Sequence, residues 1–399
     1  VHDFIVNFPA FKMALSNPAK SRAAVSAVFF ANGLIVGCWA LLIPIVIQNL
    51  AITESEMGLI ILAGGLSAII ALALSARLID LFGARAVITL SAIILAPALL
   101  LMLQMTAAIS AVLTLIFLMS ALAFQDVAMN ANAADLEQRS GRAIMSAFHG
   151  FWSAGAMVGA LSGGFLIVTF GANAFAIAAG LIALGAAIAG FEFLEKKTET
   201  TAPQSAKPSY LPRMLLPWLF GLIAFTGFVS EGAVIDWSAQ FLRTELSSGV
   251  QLSGIAFGGF SFSMMVSRFV GDRLREKIGD QKLFLFSILL AAAGLGWVIF
   301  APTAIMAAFG FLIAGFGNAN LVPIAFSAAA KIRNLPKGVG IATATLCGYA
   351  GLLFAPASLG YVGEHFGFRL VFGSMAALLL AMLVLAPMVG RQTSVKTES

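Results

Sequence analysis

The sequence predicts an all-α membrane protein with twelve transmembrane helices in two pseudo-symmetric six-helix halves. Three observations carry that prediction. Of 399 residues, 60% are hydrophobic and only 10% charged, with a mean hydropathy of +0.99; a water-soluble chain carries roughly 25% charged residues. Apolar runs recur near the ~20 residues that a bilayer-spanning helix needs. The basic residues also sort by loop: with the N-terminus placed inside, 21 of the 23 Lys and Arg fall on the inner side and only Arg243 and Arg369 on the outer. Basic loops mark the cytoplasmic face, so both termini are expected there, with an even span count. The same sorting makes the +5 net charge a topology signal and argues against a nucleic-acid partner.

The elements follow in order. Span one, 23–48, begins after the basic stretch ending at Arg22, and span two, 57–76, runs into "ARLIDLFGAR". Span three, 86–104, starts after Arg85. Span four, 107–133, exceeds the minimum length, as does span ten, 303–330; both are expected to tilt or to extend past the bilayer. Span five, 143–168, follows Arg139 and Arg142 and closes on "GGFLIVTFG"; span six is 174–193. The long polar interruption "EKKTETTAPQSAKPSYLPR", 195–213, then reads as a flexible cytoplasmic linker. It separates an N-terminal half, 1–194, from a C-terminal half, 214–399. Span seven is 215–239. Span eight, 252–270, leads into "SRFVGDRLREKIGD". Span nine is 283–300, span eleven, 339–361, closes on "LGYVGEHFG", and span twelve is 369–388. Asp80 and Asp272 lie 192 residues apart and Gly171 and Gly367 lie 196 apart. A near-constant offset is what duplication of a six-span unit leaves.

These features resemble the major facilitator superfamily over essentially the whole chain. Its signature between spans two and three, Gly-x-x-x-Asp-x-x-Gly-x-Arg, appears here as Ala76, Asp80, Gly83 and Arg85, with alanine for the first glycine. The resemblance implies a conformational latch from Asp80 and Arg85, repeated by Asp272 and Arg273; a carboxylate at a helix end can cap it or pair with arginine. A narrower resemblance, over spans one, four and five, is to the fucose:proton symporter branch. It rests on "FFANGLIVGCWALLIP" (29–44), on Asp126 with Asn130, and on Phe148-His149 where the branch has Phe-Asn. The branch's span-one aspartate is replaced by Ala40. The Asp126 region and "EGAVIDW" are also similar to a bacterial group that includes rhizopine transport proteins. The run "GAMVGALSGG" (155–164) resembles the drug:proton antiporter signature, with Ala160 in place of its proline and no arginine in span four.

A carboxylate inside a bilayer is costly by a few kcal/mol, so it marks a water-filled cavity, a partner or a bound proton. Asp126, Glu231 and Asp236 are the acids inside the spans. Asp126 and Asn130, four apart, share a helix face, in the inner half of span four at 1.5 Å per residue. His149 lies at comparable depth at the start of span five. The proton-coupling candidates are therefore Asp126, His149 and Glu231, and His149 is expected to partner or gate Asp126; burial and nearby charge make such groups switch with conformation. Glu231 is placed in the outer half of span seven and Asp236 nearer the outer surface. The substrate-binding candidates are Asn32, Trp39, Asn130, Glu231, Asp236, Asn318, Asn320 and Tyr349, with Trp152 a softer one. Asn320 follows Asp126 by 194 residues, across the expected pseudo-twofold, and amides hydrogen-bond hydroxylated solutes without titrating. Each of these side chains equally suits interhelical packing.

Enzyme readings have no support: three histidines (His2, His149, His365) show no zinc spacing, and no phosphate loop or nucleophile elbow appears. Cys38 and Cys347 sit in apolar runs and read as packing residues. The opening stretch lacks the pattern of a cleaved signal. The expectation is a monomeric secondary transporter of the bacterial cytoplasmic membrane, needing no cofactor or metal. It would move a small polar solute, of sugar- or inositol-like kind, with protons. A multidrug:proton exporter is the alternative within transport, and a non-transporting receptor or scaffold the alternative outside it.

Overall fold

A computed structural model describes residues 18–141, 144–194, 212–332, 335 and 338–393, without the side chains of residues 18, 272 and 391–393. Among these residues there are twelve membrane-length helices: α1 (Ala19–Leu50), α2 (Glu54–Phe82), α3 (Ala84–Leu103), α4 (Ala108–Ser140), α5 (Met145–Phe170), α6 (Ala172–Gly190), α7 (Leu216–Thr244), α8 (Val250–Gly271), α9 (Asp280–Phe300), α10 (Ala304–Ala330), α11 (Val339–Phe366) and α12 (Phe368–Gly390). The linker 195–213 lies outside the described residues apart from its last two. Odd-numbered helices run away from the face that carries both chain ends. That face is the terminal end below, and the opposite one the far end.

Several helices outrun their apolar stretches. α4 continues through the polar "DLEQRS" to Ser140, and α8 goes on as a helix to Ile278. α7 reaches Thr244. Past the hydrocarbon a helix still satisfies its own backbone, so polarity alone does not end it. The ends are set by caps. Thr53 and Glu56 form a capping box at α2, and the Glu137 carboxylate accepts the amides of Ile144 (2.6 Å) and Met145 (2.7 Å) where α5 begins. Four tight connections turn on glycines at positive φ: Gly83 (83°), Gly171 (86°), Gly279 (80°) and Gly367 (86°). They join α2–α3, α5–α6, α8–α9 and α11–α12, at equivalent places in the two halves. Only glycine holds such a φ without strain.

Packing repeats in the same way. Contacts of α1 with α5, α2 with α4, and α3 with α4 and α6 recur as α7 with α11, α8 with α10, and α9 with α10 and α12. Within the first half, α1 and α5 meet backbone to backbone: a Cβ at Gly155 would lie 1.9 Å from the Phe30 carbonyl oxygen, and one at Gly33 1.9 Å from that of Trp152. With no hydrophobic gradient between lipid and helix, this close van der Waals fit holds the half together. α10 is broken at Ala319–Asn320 into Ala304–Asn318 and Leu321–Ala330.

Between the halves, α2 packs on α11, α5 on α8, and α1 on α7. The hydrogen bonds from α1 and α2 to α7 and α11 gather at the far end. Arg243 donates to Gln48 (3.2 Å), Gln240 to Glu54 (2.8 Å), and the Ser55 amide to Glu364 (2.9 Å). A Cβ at Gly58 would meet the Pro356 carbonyl at 2.7 Å. A cleft of about 220 Å³ lined by Pro44, Ile47, Gln48, Gln240, Arg243 and Thr244 indents this closure. By contrast, α4 packs on α1, α2, α3 and α5 of its own half, and α10 on α7, α8, α9, α11 and α12 of its own. The polar contacts between the halves therefore converge at the far end, while α4 and α10 each pack chiefly within their own half.

Candidate functional site at the junction of the halves

A chain of polar side chains crosses the middle of the bundle. Asn32 of α1 donates to Gln125 of α4 at 3.0 Å and accepts from the Trp152 indole of α5 at 2.9 Å. Gln125 donates in turn to the Ile88 carbonyl of α3 at 3.4 Å. The guanidinium of Arg268, from α8, lies 5.7 Å over the Trp152 ring. One of its nitrogens donates to the Ser153 hydroxyl at 2.6 Å and another stands 3.5 Å from Glu231 of α7. Ser153 donates in turn to the His149 carbonyl at 3.2 Å. Six helices from both halves are thus linked by a chain that ends on one ion pair of zero net charge. Both its side chains stay partly accessible, at 18% for Arg268 and 14% for Glu231.

The other predicted residues fall around this chain. Asp126 receives the Asn130 amide at its carboxylate (3.2 Å) and its carbonyl (2.8 Å), one turn along α4. His149 is not brought within ion-pair distance of Asp126, contrary to expectation. Its ring stands edge-on to Phe29 with centroids 5.4 Å apart, and the charge within its electrostatic reach is Arg268. Tyr349 of α11 stacks on Phe228 (5.8 Å, 14°), within electrostatic reach of Asp126 of α4 in the other half. Trp39 is buried with its indole N–H unpartnered among the described residues. Asn318 donates to the Gly227 carbonyl at 3.2 Å and leaves its own oxygen without a partner. Asn320 donates its amide to Ser287 of α9 (3.3 Å), and its oxygen would stand 3.2 Å from a Cβ at Gly271 of α8.

Two depths differ from expectation. α7 runs past residue 239 to Thr244, which puts Glu231 midway along the helix rather than in its outer half. Asp236, expected near the surface, is buried at 8% exposure, because Gln240 and Arg243 on the following turns close over it against α1 and α2. At the terminal end Arg85 engages α6, its guanidinium 4.1 Å over Phe191 and hydrogen-bonded to that residue's carbonyl at 3.4 Å. In the second half Arg273 is exposed, and Arg275 makes the ion pair, with Asp280 at 2.8 Å, joined by Lys331 at 3.6 Å. The Asp272 side chain is outside the described residues. Asp80 is exposed but engaged. Sequence reasoning missed Gln125, Ser153 and above all Arg268, which it counted among the loop cations. The available signal was Ser261 and Gly271, seven residues before it and three after, which share its helical face. The cysteines are free, as expected.

A bundle of twelve membrane helices in two repeated halves, enclosing accessible polar groups at their junction, is the architecture of a solute carrier rather than an enzyme. The profile of the Major Facilitator Superfamily matches residues 25–332 and 219–398, and the chain belongs to that family of transporters. An uncharacterized MFS-type transporter of Yersinia pestis is 33% identical over 387 residues, covering 96% of this chain and 98% of the relative. Membrane protein MosC of Rhizobium meliloti is 29% identical, over 88% of this chain and 86% of that one. Among solved structures, the nucleoside transporter NupG superposes with a TM-score of 0.74 at 12% identity, over 93% of this chain and 99% of that one. A bacterial homolog of the human lysosomal transporter Spinster, in an inward-facing and occupied conformation, gives 0.69 at 14%, over 92% and 96%. At these identities the likeness is one of fold.

Proposed function

We propose that the protein is a secondary active transporter that carries a small polar solute by alternating access, coupled to proton symport. Its setting is a bacterial cytoplasmic membrane, with both termini in the cytoplasm, where the basic loops fall. The observation that best supports this reading is the polar chain from Gln125 through Asn32, Trp152 and Arg268 to Glu231. It sits where the halves meet, beneath the far-end closure. With the termini inside, far-end closure is read as the inward-facing state of a carrier.

The chemistry of the site favours an uncharged, hydroxyl-bearing solute of sugar- or inositol-like kind. Glu231 and Arg268 neutralise one another, so an added net charge would have no counter-ion there. Hydroxyls can donate to Glu231 and accept from Arg268, and the Trp152 ring offers an apolar face. The narrower likeness to the fucose:proton symporter branch remains a reading of three spans. In this mechanism Asp126 is the principal proton site, its carboxylate partnered by the neutral Asn130.

The test is solute flux in proteoliposomes with and without an inward proton gradient. Gradient-driven accumulation of a sugar- or polyol-class solute is expected. Expulsion of lipophilic cations under the opposite gradient would establish an exporter instead, and absence of any flux would leave a receptor or scaffold.

A further inference from the structure

We propose that the far-end cleft between α1 and α7 is a binding site for a small organic monocarboxylate, which bridges the two halves and favours the far-end-closed state. The proposal goes beyond the transporter reading and needs no carried solute. Two arginines stand at the far end, and the structure uses them differently. Arg369 is engaged within its own half: its guanidinium lies 3.4 Å from Glu245 and donates to the carbonyls of Ile299 and, at 2.9 Å, Ala301. Arg243 lines the cleft, half-buried, and its partner is the uncharged Gln48 side-chain oxygen at 3.2 Å. No carboxylate lies within ion-pair distance of Arg243 among the described residues. A guanidinium keeps its charge and presents its N–H donors as a planar fork that fits a carboxylate. The contact with Gln48 occupies one edge of that fork and leaves donors for an anion.

The rest of the lining matches such a ligand in size and charge. Gln48 belongs to α1 of the first half, and its amide nitrogen makes no hydrogen bond among the described residues, so it can donate to an acid that Arg243 holds from α7 of the second. Gln240 gives its amide to Glu54 at 2.8 Å, and Thr244 gives its hydroxyl proton to the Gln240 main-chain carbonyl at 3.0 Å. The Gln240 side-chain oxygen and the Thr244 oxygen are left as acceptors for a ligand hydroxyl. At roughly 30 Å³ for each water-sized group, a cleft of about 220 Å³ admits an acid of about six or seven non-hydrogen atoms. The charge selects a monoanion. One cation lines the cleft, Glu54 stands on Gln240 at its edge, and Glu364 lies along the same closure on the Ser55 amide. A second negative charge would have no counter-ion there. An acid held by both Gln48 and Arg243 adds a contact that exists only while α1 and α7 meet in this way, so it raises the population of this state.

The probe is lactate, compared with methyl lactate, its uncharged ester, and with inorganic phosphate. Ile47 lines the cleft and is 8% exposed in this state. In a background with Cys38→Ala and Cys347→Ala, Ile47→Cys is labelled with a maleimide in nanodiscs at constant ionic strength. Rates are divided by those of Ser247→Cys, exposed beyond α7, which removes any effect on the reagent itself. Lactate should slow labelling several-fold and saturably, methyl lactate should leave it unchanged, and phosphate should act far more weakly than lactate. Arg243→Gln should raise the half-effect concentration of lactate by at least about tenfold, as loss of a hydrogen bond to a charged group does. Glu54→Ala removes a contact of the closure but keeps Arg243, and it should still respond to lactate, which separates a lost site from a loosened closure. Lactate should also raise the melting temperature of the unsubstituted protein and leave that of Arg243→Gln unchanged. Equal protection by lactate and its ester, equal protection by phosphate, no protection at all, or a full response in Arg243→Gln would each overturn the proposal. The first three comparisons need no change at Arg243, and flux decides separately whether a solute is carried.

Discussion

Gly155→Ala tests the claim that the first half is built on backbone contact between α1 and α5. The new methyl carbon would stand 1.9 Å from the Phe30 carbonyl oxygen and 2.8 Å from the Leu34 amide nitrogen, where 3.0 Å is the practical floor. Both obstacles are backbone and cannot rotate away, so α1 must retreat by at least ~1.1 Å, more than a close-packed interior absorbs freely. The Trp152–Asn32 hydrogen bond spans the same two helices at 2.9 Å, and a retreat of that size takes it to about 4 Å, beyond bonding distance. Overpacking costs ~2 kcal/mol and the buried hydrogen bond ~1 kcal/mol, about 3 kcal/mol together. The control is Gly185→Ala in α6, where an added Cβ meets nothing within 4 Å and helix propensity gains up to ~1 kcal/mol. Thermal unfolding of the purified proteins in one detergent should place Gly155→Ala well below the parent and Gly185→Ala at or above it. If Gly155→Ala melts with the parent, the α1–α5 contact does not hold the half together.

Further outcomes are expected. Asp126→Asn cannot release a proton, so proteoliposomes should lose gradient-driven accumulation yet keep solute counterflow; full accumulation would pass the proton role to Glu231. Glu231→Gln should weaken solute binding in a thermal-shift titration more than Asn320→Ala, which faces Ser287 instead; equal losses would place the solute nearer α9. Single cysteines at Ser140 and Ser247 should react with impermeant reagent from opposite sides of the membrane, and labelling from one side would overturn the topology. Glu54→Ala removes the acceptor of the Gln240 amide at the far end and should raise Ile47→Cys labelling several-fold; an unchanged rate would show that this contact does not hold the closure.

The spans were legible because hydropathy and length depend on the bilayer alone, and the repeat because Gly83, Gly171, Gly279 and Gly367 answer a backbone need that leaves glycine little choice. Helix ends were harder. Apolar runs stop where hydrocarbon stops, whereas α4 and α8 continue into the interface on their own hydrogen bonds. The site was legible in its acids, since Asp126, Glu231 and Asp236 stand out against an apolar background. Arg268 did not stand out. It lies one residue beyond a serine and five before another basic residue, so composition reads it as the start of a loop. Only the length of α8 and its crossing against α5 turn it inward to Ser153. Gln125 was hidden similarly, since an amide beside an aspartate draws no notice until α1 supplies Asn32 opposite it. Asn320 shows the converse: the 194-residue offset from Asp126 singled it out, but its amide donates to Ser287 of α9.

The α5–α8 seam is not uniform along its length. In its far-end portion the two helices touch through main chain: a Cβ at Gly254 would lie 1.9 Å from the Ala160 carbonyl oxygen, and one at Gly164 2.3 Å from that of Gln251. In its terminal-end portion they touch through aromatic side chains, with the Phe269 ring 2.7 Å from where a Gly150 Cβ would be. Main chain is stiff and rings can swing, so under the alternating access proposed above the seam would serve as a fulcrum set off-centre beside a compliant bumper. A rigid lever turned about an off-centre fulcrum sweeps unequal arcs. For one angle of such rocking, the mouth at the terminal end would open wide while the one at the far end would open as a slit.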